Sequence, residues 1–406
     1  MLIFNIENTY TYLSTDDGNW GGLEVVINSL TYRVKGSHFA DICKKIWCGR
    51  QIGNNRQCGK KLSLIRDSNK RIIRRECKYH GVIPPEEAIA LWDGKNSLYN
   101  KQNNSFPTGL ISRVLATIKE YNITRKAVEL PIIQYVIKDQ RVKPTLGKDY
   151  ELRKIKLRPY QSRVLEVMDK AGRGQIVLCT RGGKSIITAG WIAKHNVPTL
   201  IVVPRLTLLE QLKDDLEEWL GIKIGVVGDG QKNPQRITLA TYQSIASAYK
   251  IRKPRNPKKN AKIPKKPKKI SKNKIQQDLE NQLVREVVAN VETLITDEHQ
   301  FAPSESLQNI EINAKTAFYR FGLSGTLSFE EDGDISRELL CQAYTGKKLI
   351  DIRPSELIKD SWLSRPTIYI KPIEYTDELK LLAENIGDVK DEESERIGFP
   401  APGLGG

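Results

Sequence analysis

No apolar run in the chain approaches the roughly 20 residues of a membrane-spanning helix, so a membrane is not among the expected partners. The start, Met1-Leu2-Ile3-Phe4 running straight into polar residues, lacks the basic head and long apolar stretch of a secretory signal. Six cysteines in 406 residues are too few for a disulfide scaffold; they read as thiols or metal ligands. There is no internal repeat. These absences point to a cytoplasmic protein. Acids are missing from residues 250–274, which hold thirteen Lys or Arg, so this one run supplies most of the net charge of +17. Its prolines at 254, 257, 264 and 267 keep it extended. A segment of that composition buries no core and is expected to be disordered. It draws in a polyanion by counterion release, or it is simply a solvated loop.

Apolar residues make up 39% of the chain, enough for real cores, and the length allows two or three domains. Residues 1–145 read as one region. Leu23–Ile27 and Leu30–Val34 look like strands, and Gly109–Tyr121 looks like a helix with Leu110, Val114 and Ile118 on one face. Val142–Asp149, with Pro144 and Gly147, reads as a linker. From about 150 the pattern becomes alternating strands and helices. Apolar runs at Gln175–Leu178, Thr199–Val203, Ile237–Tyr242, Thr293–Thr296 and Tyr319–Leu323 predict an α/β fold, a parallel sheet with helices on both faces. One intervening helix shows a stripe of Leu208, Leu212, Leu216 and Trp219, with Asp214, Asp215, Glu217 and Glu218 on the wet side.

Two motifs carry chemistry. Thr180-Arg181-Gly182-Gly183-Lys184-Ser185 lies between an apolar strand and a helix-like run, where backbone N–H groups and a helix N-terminus can face a triphosphate. Gly182 and Gly183 let the backbone approach oxygen atoms, Lys184 supplies a cation for the β/γ-phosphates, and the Ser185 hydroxyl can ligate magnesium. Asp297-Glu298-His299-Gln300 ends another apolar strand. Asp297 is expected to hold magnesium and Glu298 to polarise the attacking water. The pair predicts a nucleotide triphosphatase using ATP and Mg2+.

Further motifs follow in order: Leu157-Arg158-Pro159-Tyr160-Gln161, Pro204-Arg205-Leu206-Thr207-Leu208-Leu209-Glu210-Gln211, Ala240-Thr241-Tyr242-Gln243-Ser244, Ser324-Gly325-Thr326, and Leu357 to Pro366. Over about residues 155–375 this series resembles superfamily 2 helicases, especially phage DEAH-like helicases of recombination and branch migration. The resemblance implies a RecA-like domain at 150–375, interrupted by the basic insert at 250–274, with 376–406 a tail or the start of a second RecA-like domain. It implies that Gln161 reads the adenine edge with Arg158 nearby, and that Pro204, Arg205, Gln211, Thr241 and Gln243 face nucleic acid, DNA first. It implies that Ser324, Gly325 and Thr326 couple hydrolysis to domain movement, with His299 and Gln300 linking the phosphate site to neighbouring strands. One departure stands out: the family usually has Gly where this chain has Arg181. A motor of this kind needs a second RecA-like domain, whose arginines no Gln-x-x-Gly-Arg-x-x-Arg run supplies here, so the expectation is either that the chain is a fragment or that a separate chain carrying that domain is a partner.

Trp92-Asp93-Gly94-Lys95 and Phe106-Pro107-Thr108-Gly109-Leu110 resemble the small α+β domain that precedes the motor in these helicases, implying DNA binding or substrate selection. A Cys-rich insert spans 41–83. Cys48, Cys58, Cys77 and His80 offer four zinc donors, with Cys43 spare and a C-x2-H spacing at the end. The first pair lacks the usual knuckle spacing, so zinc, free thiols and a disulfide all stay open. Cys179 and Cys341 read as core residues. The function expected is an ATP-dependent DNA helicase or translocase; the alternatives are a nucleic-acid-binding module with a vestigial ATPase and the motor of a restriction or defence complex.

Overall fold

The computed structural model describes residues 1–33, 72–82, 95–249, 272–326 and 335–367, with short strands at 47–48, 51–52, 56–57, 63–66 and 88–89. Most of the Cys-rich insert, the Trp92–Gly94 turn and the basic run at 250–271 lie outside these residues. Residues 1–359 form one compact unit; residues 360–406, described only to 367, form another.

A small sheet opens the first unit. Strands β1 (Leu2–Ile6) and β2 (Tyr10–Thr15) pair antiparallel, β3 (Ser105–Pro107) joins β2, and β4 (Tyr135–Asp139) runs parallel beside β1. Helices α1 (Leu23–Ser29) and α2 (Ile111–Ala127) pack on it. Residues 23–27, expected as a strand, are therefore helical. Their β-branched residues favour a strand only weakly, and packing of Val26 into the core beside Val114 and Ile118 decides otherwise. Thr31–Arg33 is a short strand, as expected there. The helix expected from 109 starts at Ile111, with Leu110, Val114 and Ile118 fully buried.

The larger layer has eight strands: β5 (Arg173–Leu178), β6 (Thr199–Val203), β7 (Gly225–Gly228), β8 (Gln231–Asn233), β9 (Ile237–Thr241), β10 (Thr293–Asp297), β11 (Tyr319–Ser324) and β12 (Lys348–Ile352). Their spatial order is β8-β7-β9-β6-β10-β11-β5-β12, and every pairing except β7–β8 is parallel. The five strands anticipated from apolar runs are all present. They are buried along almost their whole length because helices cover both faces. The connecting helices are α3 (Pro159–Ala171), α4 (Lys184–His195), α5 (Leu206–Leu220), α6 (Tyr242–Tyr249), α7 (Lys272–Asn290), α8 (Glu305–Asn313) and α9 (Ile335–Thr345). In α5 the buried stripe is Leu209, Leu212, Leu216 and Leu220; Leu208 faces outward, one residue out of phase with the expected stripe.

The N-terminal core is not closed by its own region. Leu339, Ala343 and Tyr344 of α9 fill it from the larger layer. Gly109 lies so close to α9 that a Cβ there would sit 2.0 Å from the Gln342 carbonyl oxygen. Two buried guanidiniums cross the same boundary. Arg320 donates to Thr9 Oγ1 at 2.9 Å, and Arg173 donates to the Asn8 carbonyl at 2.8 Å.

Candidate nucleotide and nucleic-acid site

Strand register sets the site. Val177 pairs with Ser324, Leu323 with Asp297, Thr296 with Val202, and Val203 with Thr241. Every motif therefore emerges at the carboxyl edge of one parallel sheet, where ligands bind in open α/β folds. β5, β10 and β11 bring the motifs expected to bind nucleotide to one half of that edge. β6 and β9 bring those expected to face nucleic acid to the other.

The loop from Cys179 to Gly183 turns β5 into α4. Arg181 sits at φ 65° and Gly183 at φ 84°, both left-handed. A Cβ on Gly182 would meet the Leu178 side chain at 2.7 Å and the Cys179 carbonyl at 2.9 Å, and one on Gly183 would meet Gln161 Nε2 at 2.5 Å. Both glycines are thus required by close approach. Thr180 and Arg181 are exposed; Lys184 and Ser185 lie partly buried at the first turn of α4. Helix α3 braces the loop from behind. Tyr160 donates its hydroxyl to the Gly182 carbonyl at 2.8 Å. Gln161 is 1% exposed: its Oε1 accepts from the Arg158 backbone N–H at 2.9 Å, and its Nε2 lies 3.3 Å from the Tyr160 hydroxyl. In this arrangement Gln161 is engaged in capping α3 and seating the loop. Sequence reasoning passed over Tyr160, although it stands between the two residues that were assigned roles.

The acids come together with the loop cation. Lys184 Nζ donates to Glu298 Oε1 at 2.7 Å and lies 3.4 Å from Asp297 Oδ1, a buried oxygen with no hydrogen-bond partner of its own. Gln300 Nε2 donates to Glu298 Oε2 at 2.7 Å, and Ser324 Oγ donates to Gln300 Oε1 at 2.6 Å. A continuous chain of polar contacts therefore runs from Lys184 through Glu298 and Gln300 to Ser324. Gly325 and the exposed Thr326 follow directly. Burial raises the Asp297 carboxyl above the usual range despite Lys184. Burial pushes Glu298 the same way, but the hydrogen bonds from Lys184 and Gln300 outweigh it and hold that carboxyl low. Burial works to lower Lys184, and the two acids outweigh it and keep the ammonium above its ordinary value. The site thus presents an ionised carboxylate beside a firmly charged ammonium.

His299 faces inward and is fully buried. Its Nδ1 meets Thr296 Oγ1 at 2.7 Å, and its Nε2 meets the Cys341 carbonyl at 3.0 Å and Thr345 Oγ1 at 3.1 Å. It ties β10 to α9. Burial pulls its imidazole down to about 4, so it is neutral near pH 7.

On the other half of the edge, Arg205 and Gln211 are exposed on and before α5, Pro204 is partly buried at the end of β6, and Gln243 is exposed on α6. Thr241 is buried, and its Oγ1 donates to Ser244 Oγ at 2.8 Å. The Tyr242 hydroxyl donates to the Asp297 carbonyl.

The donors fit a magnesium–nucleotide. Asp297 offers a buried carboxylate oxygen whose one near neighbour is the Lys184 ammonium, and Ser185 a hydroxyl, both hard oxygen ligands, beside a loop whose glycines let it fold tightly against Leu178 and Gln161. Of the tentative zinc set, Cys58 and the Cys48 side chain lie outside the described residues. Cys77 Sγ is 3.6 Å from His80 Nδ1. Among the described residues no cluster of three or more His, Cys, Asp or Glu could hold a metal. Cys179 and Cys341 are buried, as read. Among the described residues no helix is long and apolar enough to cross a membrane.

Comparison with known proteins gives the same frame. Residues 154–329 match the family model described as Type III restriction enzyme, res subunit. The chain is 37% identical over 91 residues to the DNA 3'-5' translocase XPB2 of Sulfurisphaera tokodaii, covering 22% of this chain and 21% of that protein. It is 32% identical over 97 residues to the DNA 3'-5' helicase XPB of Kineococcus radiotolerans, covering 23% and 17%. The match thus spans about a fifth of the length of these curated relatives. Among solved structures, the UvsW helicase from bacteriophage T4 superposes with a TM-score of 0.51 at 16% identity, over 86% of this chain and 98% of that one. A second T4 UvsW structure gives 0.52 at 15%, over 97% and 68%. At that identity the likeness is one of fold.

Proposed function

We propose that this chain, whose residues 154–329 match the model described as Type III restriction enzyme, res subunit, is a superfamily 2 helicase motor that binds Mg·ATP at the Thr180–Ser185 loop and couples its hydrolysis to movement along DNA. The observation that carries this reading is the contact chain Lys184–Glu298–Gln300–Ser324 at the edge that also presents Arg205, Gln211 and Gln243. Backbone N–H groups of the loop and the start of α4 bind phosphate, and Lys184 leaves its acid partners for the β/γ-phosphates. Ser185 and Asp297 would hold magnesium, which shields the developing phosphate charge. Glu298, kept ionised, orients the attacking water and can take its proton. Its partner Gln300 reports the change to Ser324, and so to the Ser324–Thr326 segment. The expected partners are DNA and a second RecA-like domain. We also keep Cys48, Cys58, Cys77 and His80 as a proposed zinc set, supported by the Cys77–His80 approach. Metal analysis should then find about one equivalent at a structural site.

Titration of the chain with a fluorescent ATP analogue and Mg2+ tests the reading. Lys184→Ala removes charge-assisted hydrogen bonds of about 1.5–3 kcal/mol, so affinity should fall roughly ten- to a hundredfold. Glu298→Gln should keep binding within a few-fold and abolish any turnover. Unchanged binding in Lys184→Ala would mean that the phosphates sit elsewhere. The restriction-motor reading is supported by the description of the matching family model alone.

A further inference from the structure

The two halves of the ligand edge are separated by a strand. Thr241 ends β9, Asp297 ends β10, and β6 lies between them. Neighbouring strands are about 4.8 Å apart, so the two ends are roughly 10 Å apart. Tyr242 spans that gap. It is the first residue of α6, directly after Thr241, and its side chain is 6% exposed within the main core. Its hydroxyl donates to the backbone carbonyl of Asp297, the residue whose carboxylate oxygen is buried without a hydrogen-bond partner. The Asp297 carbonyl is also the last before the left-handed turn at Glu298, φ 50°, which aims the Glu298 side chain at Lys184. A shift of α6 therefore pulls on the peptide that orients both acids. Around Tyr242, the Thr241 hydroxyl is tied to Ser244 through both its Oγ and its backbone N–H, at 2.8 and 3.3 Å, so the turn moves as a unit. Gln243, next in sequence, is exposed.

We infer that Tyr242 is a positioning residue that couples nucleic-acid occupancy of the Thr241–Ser244 turn to the seating of Asp297 and Glu298. This rests on the proposed function, which places nucleic acid on that turn. DNA that clamps the turn fixes α6 and, through the phenol, the carboxylates; Mg·nucleotide binding then meets a preset acid pair. By reciprocity, bound nucleotide raises DNA affinity by the same factor.

The test is a thermodynamic cycle on the full chain with a short DNA duplex and a Mg2+ complex of a non-hydrolysable ATP analogue. In the wild type, each ligand should tighten the other by about fivefold or more. Tyr242→Phe deletes only the hydroxyl. It should bring the factor to about one while each ligand alone binds within about twofold of wild type and the thermal midpoint stays close. A structural role alone would lower the midpoint or both affinities and leave the factor intact. Should the variant fail to fold, hydrogen exchange of residues 297–300 in the wild type decides: duplex should slow it, and no change overturns the inference. Both ligands binding without coupling in the wild type, or coupling that survives in Tyr242→Phe, overturns it and leaves the functional reading standing. Failure of nucleotide or duplex to bind at all overturns that reading and the inference with it.

Discussion

Arg181 shows how one residue can depart from a motif without losing its geometry. The position is left-handed, where an L side chain costs about 1–2 kcal/mol, which explains why glycine is usual there. Glycine relieves that strain but adds unfolded-state entropy of similar size, so Arg181→Gly should leave stability within about 1 kcal/mol. It also removes an exposed cation from the loop proposed to bind phosphate. Nucleotide affinity should drop a few-fold, and more at low salt than at high, as binding titrations at two salt concentrations will show. A second prediction concerns the buried pair His299 and Glu311, 3.9 Å apart. Burial holds His299 near 4 against 6.5 in the unfolded chain, so the unfolded state gains protons as pH falls through that window and stability drops. Burial pushes Glu311 up to about 8 against 4.5, so the folded state keeps a proton the unfolded state releases, and stability is lost as pH rises through 8. The two slopes oppose each other from pH 4.5 to 6.5; above 6.5 only the Glu311 loss remains. Glu311→Gln should abolish the decline in melting temperature between pH 6.5 and 8, and an unchanged decline would assign it to other groups. The roles proposed for Lys184, Ser185, Asp297 and Glu298 could be read from residue type and motif position, and the structure brings Lys184, Asp297 and Glu298 together. Tyr160 and Tyr242 were not legible, since their contribution is a hydroxyl aimed at a backbone carbonyl, which only the fold reveals.

Elements were legible where burial was uniform. β5, β6, β9, β10 and β11 are buried on both faces, and their apolar stretches stand out despite buried polar residues such as Arg173, Gln175 and Arg320. β12 is only partly buried and β4 wholly exposed, so neither carries a clear pattern. The phase of α5 slipped by one residue because Leu208 and Leu209 are adjacent and only packing against the sheet distinguishes them. Helix α9 was unforeseen as a shared element. Cys341 and Thr345, one turn apart, hold His299, while Leu339, Ala343 and Tyr344 enter the N-terminal core. Gly109 lies directly against the backbone of α9. Gly109→Ala would drive a methyl into the backbone of α9, which cannot rotate aside as a side chain could. We expect a loss of about 1–3 kcal/mol, typical of overpacking, seen as a lower denaturation midpoint. Wild-type stability would mean that the contact is slack.

Across the whole molecule, charge and topology each set a behaviour. Residues 250–274 hold thirteen cations, and the run leads from helix α6 into the first turn of α7. Deleting residues 250–271 should weaken DNA binding and flatten its dependence on salt while leaving nucleotide binding intact, because each neutralised phosphate releases condensed counterions. Equal salt slopes with and without the run would make it a solvated insert. The parallel α/β layer was read from the sequence, whereas the strand order was not, since apolar runs say nothing about neighbours. That order has a consequence for how the protein is made. β5 and β6 leave the ribosome early, yet β10 and β11 must slide between them to complete the sheet. Until residue 324 has emerged, Asp297 and Glu298 cannot be set opposite the Thr180–Ser185 loop, β5 has no partner, and β6 is paired on one side only. Such long-range pairing is slow and leaves open edges that invite aggregation. The proposed catalytic edge is thus a late product of synthesis, and a growing chain most needs protection during the interval in which the gap stands open.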